Sequence, residues 1–148
     1  MKRRKKILVV GDDPPVRTTL KRALAGKGYR VRSAADGAGA LQAAKNSPPD
    51  LVLLDLKVRE GNGWDVFGRL MRRWPSLPVV IISGKPNQRF TALAAGVGAL
   101  LEKPLHIPQT LRTVRRLLRE SVDTRVARVA GKLAEFYYLP TCGAQGPG

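Results

Sequence analysis

Cysteine is nearly absent. The single thiol, Cys142, lies in a Gly/Pro-rich tail, so no disulfide can form within the chain, which fits a reducing cytoplasm. Long apolar runs are missing as well. The basic leader over residues 1–5 is followed by only a short apolar run, Ile7-Leu8-Val9-Val10, before Gly11. That is too short for the core of a secretion signal, and no run approaches the roughly 20 residues that cross a bilayer. The expectation is a soluble protein with no membrane segment. Carboxylates are scarce too: 11 Asp and Glu stand against 27 Lys and Arg, for a net charge of +16. Such an excess suggests an acidic partner (nucleic acid, an anionic surface or an acidic protein), or a compositional bias spread over helix faces.

What remains is ample for a globular core. The chain has 148 residues, 43% of them hydrophobic, which is one domain's worth with room for a small appendage. Its centre is Leu51-Val52-Leu53-Leu54-Asp55, a continuous apolar run ending in one carboxylate, which reads as a strand covered on both faces. Ile7–Val10 is a second such run, ending in Asp12 and Asp13. Asp13 suits the N-cap of a following helix and Pro14 its first turn. Val16, Leu20, Ala23 and Leu24 then recur at helical spacing until Gly26-Lys27-Gly28.

Tyr29–Ser33 alternates as an exposed edge strand, and Asp36 opens a second helix with Ala40, Leu41 and Ala44 inside. A third helix follows Gly63, with Val66, Phe67 and Leu70 inward, and stops at Trp74-Pro75. Pro78–Ile82 is a further strand ending in Ser83-Gly84, then a helix from about Pro86 to Ala95. Ala99-Leu100-Leu101 ends in Glu102-Lys103-Pro104, and a helix carrying Leu111, Val114 and Leu118 begins at Ile107. Five strands alternating with five helices predict an α/β, doubly wound, five-stranded parallel sheet of order 2-1-3-4-5.

In that order the crevice lies between the first and third strands, at their carboxyl ends. Asp12, Asp13 and Asp55 are expected to meet there, with Ser83 and Lys103 closing from the other side. Gathered carboxylates repel unless a cation sits among them, and hard oxygen ligands in a solvated cluster suit Mg²⁺. A divalent cation, a lysine and a hydroxyl facing one carboxylate make a cradle for a phosphoryl group. Each residue has a plainer reading: Asp13 as a helix cap, Ser83-Gly84 and Lys103-Pro104 as ordinary turns. Their joint position at successive strand ends favours a site.

This set resembles the response-regulator receiver domain of two-component signalling, a flavodoxin-like fold, over about Lys6 to Arg119. The matching residues are Asp12/Asp13, Asp55, Gly63, Ser83 and Lys103-Pro104. The resemblance implies that Asp55 accepts a phosphoryl group from a histidine kinase or phosphotransfer protein. It implies that Asp12, Asp13, Asp55 and the Lys57 backbone carbonyl hold Mg²⁺, that Ser83 and Lys103 bind phosphoryl oxygens, and that the Lys103-Pro104 bond is cis. Three positions depart from the family. Gly11 stands where an acidic residue is usual, Leu100 where a switch Tyr or Phe is usual, and Arg59 where a proline is usual. They bear on the output relay more than on phosphorylation.

The receiver is expected over 1–120, a helical extension over 121–139 and a disordered tail over 140–148. Val122, Val126, Val129, Leu133 and Phe136 continue the apolar stripe, so the last helix is expected to run on to about Tyr138 or to restart at Asp123. An apolar stripe with no sheet beneath it predicts a dimerisation or docking helix over 107–138, against packing back on its own domain. No helix-turn-helix is evident, and the arginines of the fifth helix are mingled with apolar positions, so nucleic acid is not the favoured partner. The leading expectation is a stand-alone receiver acting on a downstream protein target. The rival is a phosphorylation-independent adaptor whose basic surface binds nucleic acid or an acidic protein. A dehalogenase-type phosphatase would need an acid two residues after Asp55, where Lys57 stands.

Overall fold

In the computed structural model, which describes residues 3–131 and 136–140, the run Leu51–Asp55 is buried end to end at the middle of a parallel sheet. The elements are β1 (Lys6–Val10), α1 (Pro14–Ala25), β2 (Arg30–Ala34), α2 (Gly37–Asn46), β3 (Leu51–Asp55), α3 (Gly63–Arg73), β4 (Val79–Ser83), α4 (Arg89–Ala95), β5 (Ala99–Glu102), α5 (Ile107–Arg119), α6 (Val122–Val129) and β6 (Tyr137–Leu139). Strand order is β2-β1-β3-β4-β5-β6, with every pairing parallel.

Alternation along the strands divides the core in two. Ile7, Val9, Leu51, Leu53, Val80 and Ile82 face α1 and α5, where Leu20, Leu24, Val114 and Leu117 cover them. Leu8, Val10, Val52, Leu54, Val79 and Ile81 face α2, α3 and α4, under Ala40, Ala44, Val66, Phe67, Leu70 and Ala92. Each fully buried Leu or Ile contributes roughly 1.5–3 kcal/mol. Both faces being covered is why these strands read as unbroken apolar runs, while edge strand β2 exposes Arg30, Arg32 and Ser33.

Caps fix the helix starts that line the sheet's carboxyl edge. Asp13 accepts from the Val16 amide at 3.3 Å, Asp36 from that of Gly39 at 2.7 Å and Asn62 from that of Asp65 at 3.1 Å. Helix α4 begins at Arg89, three residues later than expected, because Asn87 takes a positive φ of 64° and breaks the run from Pro86.

The largest correction is at the carboxyl end, which brings the described residues to six strands and six helices where five of each were expected. The expected single extended helix stops at Arg119. Glu120 turns extended, and Ser121 caps a new helix by accepting from the Thr124 amide at 3.1 Å. Of the two alternatives the restart is the one observed, and it ends at Val129. Arg128, buried, pairs with Glu120, and the Arg125 guanidinium donates to the Leu117 carbonyl at 3.3 Å, so α6 folds back onto the open end of α5. Tyr137–Leu139, expected as helix, is instead a strand on the outer edge of β5, with Leu100 opposite Tyr138. Leu133 and residues 141–148 lie outside the described residues.

Candidate functional site

Four strand ends meet at the carboxyl edge of the sheet. Asp55 closes β3 with only 2% of its surface exposed, and Ser83 closes β4 fully buried. Asp55 Oδ1 accepts from the Lys57 amide at 2.8 Å, which turns the chain sharply after the strand. Its other oxygen, Oδ2, faces the Lys103 ammonium at 2.6 Å. Lys103 Nζ also lies 3.9 Å from Asp13 Oδ2, so one cation spans two carboxylates. The expected meeting of Lys103 with Asp55 is present, and the Lys103-Pro104 bond is cis.

Backbone bonds hold the loops in register. The Lys103 amide donates to the Ser83 carbonyl at 2.9 Å, and the Asp12 amide donates to the Lys57 carbonyl at 3.0 Å. The second bond ties the start of the β1–α1 loop, at Asp12, to the loop that follows Asp55. Gly63 sits where a β-carbon would come 2.6 Å from Leu56 Cα, so only glycine lets α3 start against the loop that follows Asp55.

The three carboxylates do not converge as expected. Among the described residues no three His, Cys, Asp or Glu side chains form a group that could hold a metal ion. The reason is local: Asp13 Oδ1 is committed to capping α1 and Oδ2 leans toward Lys103. The donor types at this edge, carboxylate and carbonyl oxygen, suit Mg²⁺ in their chemistry, since that ion takes one or two carboxylates and keeps its waters.

The departures acquire physical accounts. Leu100 is fully buried in the β5 core. The Arg59 amide donates to the Ala35 carbonyl at 2.9 Å, a bond that proline could not make, and it ties the loop after β3 to the loop after β2. Ser83 Oγ is engaged in its own turn, accepting from the Lys85 amide at 2.9 Å.

Sequence reasoning missed Tyr138. Its hydroxyl donates to Glu102 Oε1 at 2.9 Å, and Arg89 of α4 lies 4.7 Å from its ring centroid. Burial, and then the hydrogen bond to Glu102, push its phenol above the ordinary value of 10.0. The run Phe136-Tyr137-Tyr138-Leu139 before Pro140 carried a strand signal in its aromatic content.

Comparison with known proteins agrees with this arrangement. Residues 7–129 match the family model described as the response regulator receiver domain. The transcriptional regulatory protein KdpE of Mycobacterium tuberculosis is 37% identical over 117 residues, covering 78% of this chain and 51% of KdpE. The response regulator MprA of a Mycobacterium species is 36% identical over 118 residues, with the same shares covered. This chain therefore spans about half the length of the curated relatives it matches. Among solved structures, the receiver domain of NtrX from Brucella abortus superposes with a TM-score of 0.74 at 31% identity, covering 78% of this chain and 99% of that one. On the family match, on these identities and on a sheet whose carboxyl edge pairs Asp55 with Lys103, this chain belongs to the response-regulator receiver-domain family of two-component signalling.

Proposed function

We propose that Asp55 is the phosphoacceptor, taking its phosphoryl group from a phosphohistidine on a histidine kinase or phosphotransfer protein. A carboxylate oxygen of Asp55 attacks phosphorus, the phosphorus–nitrogen bond breaks, and the imidazole leaves with the bonding pair, giving an acyl phosphate. The observation that carries this reading is the 2.6 Å approach of the Lys103 ammonium to a buried Asp55 carboxylate at the open edge of the sheet. Phosphoryl transfer asks chiefly for positioning and charge neutralisation. Lys103 supplies a fixed positive charge where the phosphoryl oxygens arrive, and Lys57 holds Asp55 by its amide. Asp12, Asp55 and the Lys57 carbonyl oxygen would hold Mg²⁺, with Asp13 adding charge from the rim. The ion would neutralise phosphoryl oxygens when bound. Beyond this self-directed transfer and hydrolysis, no enzymatic activity is assigned.

Ser83 would leave its turn with Lys85 to bond the new phosphoryl group, moving the β4–α4 loop and with it Arg89 and the α4–β5–α5 side, where a downstream protein target would read the change. The donor protein would dock in the groove between α1 and the loop after β5, lined by Pro15, Val16, Leu105 and Ile107 and opening on Asp13 and Lys103.

The test is exposure of the protein to acetyl phosphate or beryllofluoride with Mg²⁺. Covalent phosphorylation by mass, lost in Asp55→Ala, supports the reading; a protein silent to both reagents overturns it. A phosphorylation-independent adaptor is the second reading, favoured by Gly11 and by the buried Leu100. It expects unchanged partner binding in Asp55→Ala.

A further inference from the structure

We infer that the basic cleft between the α1–β2 turn and α5, apart from the Asp55 site, is a sequence-independent binding surface for the phosphate backbone of nucleic acid. In the sequence the α5 arginines are interspersed with leucines. On the helix they separate: Thr110, Thr113, Val114 and Leu117 are buried, while Arg112, Arg115, Arg116 and Arg119 are all exposed. Arg112 and Arg115 then share one cleft with Lys27 and Tyr29, from the turn between α1 and β2. Arg30 follows three residues on, and its amide donates to the Lys5 carbonyl at 2.9 Å, which lays the basic leader beside it. Lys27, Arg115 and Arg112, each exposed, thus form a basic band along this cleft, and the exposed Lys5 and Arg30 add positive charge beyond it, Arg30 on the α2 side of the sheet.

Nothing neutralises the band. Residues 14–35 and 103–119 contain no Asp or Glu. Among the described residues none of these five cations makes an ion pair, and Asp50 near the leader is taken by Arg3 and the Lys6 amide. Holding like charges side by side without counter-charges is unfavourable unless an anion covers them. A polymer with regularly spaced monoanions suits such a band, and its condensed counterions, once released, drive binding. Lysine and arginine on an exposed face meet the phosphates before any base edge, so the contact proposed is to backbone. Lys27 and Tyr29 precede β2 at its amino end, and no residue lining the cleft belongs to the Asp55 site, so binding there leaves the Asp55 edge open. The proposal therefore stands apart from the phosphoacceptor reading.

The test is fluorescence anisotropy of a labelled random-sequence DNA duplex with the full chain. The expected result is binding at 50 mM salt that weakens on the order of a hundredfold by 200 mM, as for about four phosphate contacts. Lys27→Ser/Arg112→Ser/Arg115→Ser together should weaken binding at least tenfold and lower the salt slope by roughly 2–3. Lys45→Ser/Arg69→Ser/Arg72→Ser, an equal loss of charge on exposed positions of α2 and α3, should change it less than twofold. Equal weakening by both triple variants would mean dispersed charge and overturn the proposal. So would absence of binding at 50 mM salt, or displacement of DNA by polyglutamate at equal charge concentration, which would mark an acidic-protein surface. Circular dichroism of both variants separates misfolding from loss of contacts.

Discussion

The β-carbon that Gly11 lacks would lie 2.8 Å from the β-carbon of Asp55, closer than two such atoms pack. A side chain at this position therefore needs the Asp55 end of β3 to shift. Gly11→Ala is expected to destabilise the fold by about 1–3 kcal/mol, as overpacking at a buried position does. Urea unfolding of the two proteins measures it, and an unchanged midpoint would show that β3 yields freely.

Lys103 compensates a carboxylate that is 2% exposed. Lys103→Met leaves that charge buried without its ammonium and should cost about 3 kcal/mol, the lower end for a broken buried pair because the lysine is partly solvated. Adding Asp55→Asn removes the stranded charge, so the double variant should be more stable than Lys103→Met alone. Thermal melts of the three proteins decide it, and a double variant that is weaker still would contradict the pairing.

Tyr138 gives the stability a dependence on alkaline pH. Its phenol is raised above 10.0 in the folded protein, so the folded state holds its proton over a range where the unfolded chain releases it. That contribution is complete below pH 10 and is lost as pH climbs through the folded value. Tyr138→Phe should cost about 1 kcal/mol at neutral pH through the lost bond to Glu102. The gap between the two proteins should narrow above pH 10. Denaturant midpoints at several pH values read both effects.

Val122, Val126 and Val129 form an exposed apolar stripe along α6. A second copy of the chain is the proposed cover, through the segment 107–138. Light scattering should give a dimeric mass that strengthens with salt, since each copy carries a net charge of +16. Val126→Asp/Val129→Asp should be monomeric. Equal masses for both proteins at high salt would remove the idea.

The central strands were legible because burial on both faces leaves polar residues only at their ends, and strict alternation places every strand's carboxyl end on one edge. Asp55, Ser83 and Lys103 followed from that geometry. The bond from the Arg59 amide to the Ala35 carbonyl was not legible, because it joins two loops whose separation only the folded sheet sets. The carboxyl end misled for a different reason. Phe136, at the head of β6, falls on the helical period of Val122, Val126 and Val129, so one stripe fits two structures. The break itself had a signal, Ser121 with Asp123 in the following turn, which is how a helix begins.

Tyr137–Leu139 zips onto Ala99–Leu101 and so closes the flank of the sheet that would otherwise offer unpaired amides to a foreign strand. The new border is three residues long and runs into Pro140, which has no hydrogen to donate. A listener on this flank must therefore read side chains, Arg89 stacked on Tyr138 and Tyr138 anchored to Glu102, the residue next to Lys103.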